Sequence, residues 1–164
     1  MSRLALKDDG SPETREFYTS YPELGLPANV LRDAVYSTNN PLPPLVREAV
    51  RMRIAVANDC VVCRFARLMP ELGEKFYASI ADFREHPDLY SPELQCALEF
   101  AELFAMNHLA IDDDLFDRLR VYFSEAEIAA LGVSCAYFSG IGRLTRVLLL
   151  DQTCDIGGSV TVAA

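Results

Sequence analysis

The chain of 164 residues has no run built to cross a bilayer. Its longest stretch without a charged residue, Ile128 to Gly142, is shorter than the roughly 20 apolar residues a spanning helix needs. The first residues show no basic start followed by an apolar run, so no secretory leader is expected and the location is read as cytoplasmic. Basic residues are scarce, 15 Lys and Arg against 24 Asp and Glu, giving a net charge of −9. That excess repels phosphate backbones and anionic lipid, which argues against nucleic-acid binding and membrane attachment. Histidine is scarcer still, with two residues, and there is no HxxxH and no second CxxC. Cys96, His108, Cys135 and Cys154 stand isolated, so a tetrahedral metal site lacks ligands, and no metal or other cofactor is expected. Five cysteines make an odd number, and a chain of this length buries a core without staples, so a structural disulfide framework is not expected. Strand alternation is missing as well, apart from an ambiguous "SVTV" near the C-terminus, which leaves an all-α class.

What is present is helical. Hydrophobic residues make up 51% of the chain, somewhat more than one small core needs, and part of the surplus is expected in a subunit interface. Residues 1–164 read as one domain without a linker. Gly10, Pro12, Pro22 and Gly25 mark 1–25 as an irregular arm with one short helix near Glu13 to Tyr18, and Gly157 and Gly158 mark 151–164 as a C-terminal tail. From "LPANVLRDAVYS" onward apolar residues recur at three and four, predicting a bundle of six or seven helices. Pro43 and Pro44 stand where proline is tolerated, at the start of "LVREAVRMRIAVA", and Asn58 with Asp59 breaks that helix. "SPEL" at 91–94 starts another helix, with the stripe Leu94, Ala97, Leu98, Ala101, Phe104, Ala105 and His108 at its end. "SEAE" at 124–127 is a capping box opening a helix to Leu150, apolar nearly all round at first and so central to the bundle.

The segment "NDCVVCRFARL" at 58–68 sets Cys60 and Cys63 three apart in the first turn of the helix after the break. Helical residues three apart have Cβ atoms about 5–6 Å apart, and a disulfide tolerates Cα separations of roughly 4.4–6.8 Å. The pair can therefore open and close with little backbone movement. Arg47, Arg51, Arg53, Arg64 and Arg67 oppose only Glu48 and Asp59 in this region, and a helix start among cations favours a thiolate. Three readings stand at this point: a redox pair, half of a metal site, and two small buried residues.

The longer run "REAVRMRIAVANDCVVCRFARL" resembles the core motif of the alkylhydroperoxidase D-like, or carboxymuconolactone decarboxylase, superfamily: a glutamate, then CxxC twelve residues later, then a histidine four beyond. Glu48, Asn58, Cys60 and Cys63 match it, and "YPELGLPANVLRDAVYS" and "DDDLFDRLRVYFSEAEIAAL" resemble flanking segments. The resemblance implies an all-helical alkylhydroperoxidase D-like subunit and a homo-oligomer, trimer or hexamer, with a dimer the smallest form considered. It implies reduction of hydroperoxides in antioxidant defence, or dithiol–disulfide exchange. In that chemistry Cys63 attacks, Cys60 resolves the sulfenic acid as a disulfide, Glu48 accepts the proton, and a dithiol of unknown identity recycles the pair. Arg67 stands where the family has histidine, and Val62 where some members have another. Arginine stays protonated and cannot serve as a base, though it can support a thiolate electrostatically, so the relay shortens to Glu48 and water or the peroxidase activity is weakened.

Two rival functions accompany this one. A lyase or isomerase of the decarboxylase branch would use the arginines to hold a carboxylated ring compound, and an oligomeric scaffold or sensor would keep the fold without the chemistry. Elsewhere, His108, Cys96 and Cys135 read as core residues, Arg143 as one half of an ion pair, Asp112 to Asp114 as a helix cap, and Gly140 and Gly142 as close-approach positions between helices.

Overall fold

The structure, a computed structural model, describes residues 2–7 and 9–150. Among them are eight α-helices, joined by turns and short 3-10 segments, and no strand. The proline and cap signals act where the sequence puts them. Pro44 opens α3, Pro44–Ala57. Ser91 accepts the Leu94 N–H at the start of α6, Pro92–Met106, and Asp112 accepts that of Leu115 at the start of α7, Asp113–Tyr122. Ser124 and Glu127 close both halves of the capping box on α8, Glu125–Val147. Each cap satisfies orphan N–H groups, about 1 kcal/mol apiece.

The N-terminal arm is more regular than expected. α1 spans Glu13–Ser20, and α2, Pro22–Tyr36, begins inside the segment read as irregular. The correction has a local cause, since Pro22 sits in the first turn, where its missing N–H costs nothing. Gly25 permits the hairpin: a Cβ there would lie 2.9 Å from the Tyr18 carbonyl. The expected tail 151–164, with Cys154, lies outside the described residues.

α3 is the axis of the bundle and packs against α6 and α8. It buries Val46, Ala49, Val50, Met52, Ile54 and Ala55, and also Glu48, Arg51 and Arg53. α8 is by length and composition apolar enough to cross a membrane, but Ile128, Leu131, Cys135 and Phe138 are buried in this core. α2 buries only Gly25 and Val35 and leaves Leu24, Leu26, Val30 and Leu31 exposed. His108 is not a core residue: the chain leaves α6 at Asn107, and His108 sits exposed in a 3-10 turn. Arg143 makes no ion pair among the described residues. Its guanidinium donates to the Ala105 carbonyl near the end of α6, a group the helix leaves unsatisfied.

Candidate active site

A charged residue on a buried helix must find partners, because an unpaired buried charge costs several kcal/mol. On α3, Glu48 and Arg51 lie one turn apart and are both buried. Arg51 meets the carboxylate with one edge of its guanidinium, Nε donating to Oε2 and Nη2 to Oε1, each at 2.7 Å. Its other edge points across the following turn, Nη1 donating to the Cys63 carbonyl at 2.6 Å and Nη2 to that of Ala66 at 2.7 Å. Those carbonyls belong to α4, Val61–Phe65, and its C-cap, and are orphans of a helix barely one turn long.

The cysteine turn is built by the break after α3. Asn58 caps that helix, and Asp59 follows at φ 49°, a left-handed conformation that aspartate tolerates. Cys60 then serves as N-cap of α4, with its N–H on the Ala55 carbonyl at 3.2 Å. Cys60 and Cys63 are bonded to each other, with Cα atoms 5.3 Å apart. Their surroundings differ: Cys60 is 0% exposed, whereas Cys63 is partly exposed. Asn58 ties the turn to α8 by donating from Nδ2 to the Phe138 carbonyl at 3.2 Å and the Ser139 carbonyl at 3.4 Å. Gly142 leaves the room this needs, since a Cβ there would come within 2.5 Å of Asn58 Nδ2. Gly140, by contrast, has nothing within 4 Å of a Cβ position.

Glu48 has two further donors on Oε1, the Leu68 N–H at 3.2 Å and the Tyr77 hydroxyl at 2.9 Å. Tyr77, on α5 (Gly73–Ser79), is buried; burial first, then its bond to Glu48, pushes the phenol up to about 12. Its oxygen also lies 3.0 Å from the Met69 carbonyl and accepts the Met69 N–H at 3.2 Å. Arg67 stacks on the Tyr77 ring, 4.3 Å from its centroid, and pairs with Glu74 at 2.8 and 3.0 Å. Its remaining hydrogen bonds go to the carbonyls of Arg64 and Ala66.

Of the four candidates read from the sequence, the structure thus links Glu48, Cys60 and Cys63 through Arg51 and directs Arg67 to Glu74. The basic cluster counted along the chain is partly offset in space, by its own Glu48 and Asp59 and by Glu74 and Glu102 from outside it. Arg53 pairs with Glu102, which Arg84 shares, and Arg64 and Arg146 both meet Asp59. Arg47 lies over the Tyr36 ring. Sequence reasoning gave Arg51 only as one of five surrounding cations and missed Tyr77. Spacing could have flagged Arg51, one turn from Glu48 on a predicted helix, but nothing local marks Tyr77, 29 residues away. The thiols of Cys96 and Cys135 are both raised by burial, which makes them poor nucleophiles. An open groove of about 400 Å³ lies elsewhere, between Val35, Asn40 and Pro41 on one side and Ala130 and Val133 on the other, and none of the four candidates lines it.

No protein-family model matches the chain. It is 34% identical over 97 residues to the uncharacterised protein YnjA of Escherichia coli (strain K12), a match covering 56% of this chain and 52% of that protein. The chain therefore spans about half the length of that relative. Its structure is similar to that of a protein of unknown function from Agrobacterium tumefaciens with a suggested antioxidant-defence role as AhpD: TM-score 0.75, 19% identity, 91% of this chain and 96% of that one. An uncharacterised peroxidase-related protein from Silicibacter sp. TM1040 gives a TM-score of 0.77 at 16% identity, over 90% of both chains. The debrominase Bmp8 gives 0.67 at 18% identity, over 81% of this chain and 73% of that one. The chain has the all-α fold of these AhpD-like and peroxidase-related proteins.

Proposed function

We propose that the chain is a thiol-dependent oxidoreductase that reduces small hydroperoxides, or exchanges disulfides, through Cys60 and Cys63. The observation that carries this reading is the bonded pair with unequal exposure: Cys63 is partly exposed, on the side a small substrate would approach, and Cys60 is fully buried. Neighbours of the same fold described as peroxidase-related and antioxidant support it.

The steps follow from the chemistry of the pair. Glu48, through water, takes the Cys63 proton. The thiolate attacks one peroxide oxygen, the O–O bond breaks, and Cys63 becomes a sulfenic acid while an alkoxide leaves and takes up the proton. The Cys60 thiol then displaces hydroxide from the Cys63 sulfur, and its proton completes a water molecule as the disulfide forms. A dithiol reductant of unidentified type returns both thiols and is itself oxidised to a disulfide. Arg51 holds the Cys63 turn onto Glu48, and Arg67 acts as electrostatic support through Tyr77. The subunit works as a homo-oligomer in the cytoplasm, in keeping with the poorly covered α2.

The rival lyase reading needs arginines free to hold substrate carboxylates. Arg51, Arg53, Arg64 and Arg67 are each paired with a protein carboxylate instead, and Arg47 lies over the Tyr36 ring. Mass spectrometry of the reduced protein after mild peroxide tests the redox reading. The expected product is a Cys60–Cys63 disulfide in the native chain, and a sulfenic acid on Cys63 in Cys60→Ser. Two unmodified thiols would overturn it.

A further inference from the structure

The four hydrogen bonds to the Glu48 carboxylate are divided unevenly. Oε1 receives three, from Arg51 Nη2, the Leu68 N–H and the Tyr77 hydroxyl, whereas Oε2 receives one, from Arg51 Nε. A carboxylate oxygen has two lone pairs, so three donors saturate Oε1 and leave the open lone pair on Oε2. Resting on the redox reading above, we propose that Glu48 takes and returns its proton at Oε2, and that Tyr77 is a positioning residue that, with Arg51 and the Leu68 N–H, keeps Oε1 occupied.

Tyr77 suits the task because its hydroxyl is a lasting donor. With the phenol pushed up to about 12, it keeps its proton throughout the range in which a carboxylate and a thiol titrate. Its single proton has two acceptors within reach, Glu48 Oε1 at 2.9 Å and the Met69 carbonyl at 3.0 Å. When Glu48 gains a proton, the hydroxyl can turn to Met69 and remain satisfied, so no orphaned donor opposes the transfer. The ring is held by Arg67, whose guanidinium is anchored by Glu74. The arginine at the histidine position of the motif thus acts on the site by holding a second residue.

The charged and titratable groups facing Glu48 come from every element around it: Arg51 on α3, Tyr36 on α2, the Cys63 turn, Arg67 after α4, and Tyr77 on α5. Burial raises the Tyr36 phenol, and both arginines stay cationic, so neither phenol nor guanidinium titrates in the acid range. A low inflection in the reactivity of Cys63 that Glu48→Gln abolishes therefore reports Glu48.

The test is the pH profile of Cys63 alkylation by iodoacetamide in the fully reduced protein, which needs no peroxide activity and so separates this proposal from the choice of substrate. Tyr77→Phe keeps the ring under Arg67 and removes only the donor. A donor favours the carboxylate, so its loss moves the low inflection to higher pH, by about one unit or tenfold in the equilibrium. On a Glu48→Gln background the same change moves nothing. Should Tyr77→Phe melt early, replacing the chain's tyrosines with 3-fluorotyrosine strengthens the donor without altering its shape, and the inflection moves down. An inflection that stays put in Tyr77→Phe, or moves equally with Glu48→Gln present, overturns the role of Tyr77. Two unreactive thiols under peroxide, with the inflection still moving, would instead sink the redox reading and leave the Glu48–Tyr77 coupling standing.

Discussion

Arg67 is the residue on which the sequence and the expected chemistry part company. A guanidinium has no lone pair to give, so a side chain that stays charged stands where the resembled motif has a base. The structure uses it for packing and charge, between the Tyr77 ring and Glu74. Glu74 is exposed, and an exposed pair contributes little, so replacing Arg67 should be tolerated by the fold. Arg67→His is expected to fold as the native chain does and to raise hydroperoxide turnover by about tenfold, within the range general-base groups supply. Unchanged turnover, read beside circular dichroism of the variant, would show that proton transfer is not what limits the native protein. Of the residues in this network, Cys60 and Cys63 stood out by their spacing, and Glu48 and Arg67 through the resemblance of the longer run to a known motif. Tyr77 was not legible, because its place beside Glu48 is a product of how α5 folds back on α3 rather than of any local pattern.

At the scale of elements, the pair depends on how two helices are joined. α3 supplies Glu48 and Arg51 on its buried face, α4 supplies the cysteines, and Asn58 pins the junction to two carbonyls of α8. Gly142 is the position in α8 that permits this, so Gly142→Ala must push the Asn58 amide aside. The expected cost is about 1–3 kcal/mol of stability, as for other over-packed positions. Disulfide closure should also slow, because the residue two before Cys60 loses its anchor. A thermal melt together with stopped-flow closure after peroxide checks both, and an unchanged closure rate would mean that the turn is held by Arg51 alone. Helix starts were readable because caps are local, as at Ser91, Asp112 and Ser124. The early start of α2 was hidden by Gly25, which reads as a breaker yet serves as the close contact to Tyr18. The exposure of His108 was hidden because the apolar stripe of α6 runs up to it, while the helix stops at Met106.

For the whole molecule, the all-α class followed from missing strand signals and recurring three-four spacing, both of which survive without knowledge of contacts. The electrostatics did not. Counted along the chain, residues 47–67 look strongly basic, but Glu74 and Glu102 arrive from other elements and pair with Arg67 and Arg53. Tertiary folding thus pairs four of the five arginines with carboxylates, with Arg51 bridging Glu48 and the cysteine turn, while Arg47 lies over the Tyr36 ring. Cys60 and Cys63 lie bonded as their spacing allows, Cys60 buried and Cys63 partly exposed. The most direct measurement is steady-state hydroperoxide consumption with a dithiol reductant, comparing the native chain with Cys63→Ser and Cys60→Ser. Turnover is expected in the native chain, none above background in Cys63→Ser, and in Cys60→Ser only the slower turnover that direct reduction of the Cys63 sulfenic acid by the dithiol supports. Equal consumption by the native chain and Cys63→Ser would contradict the redox reading.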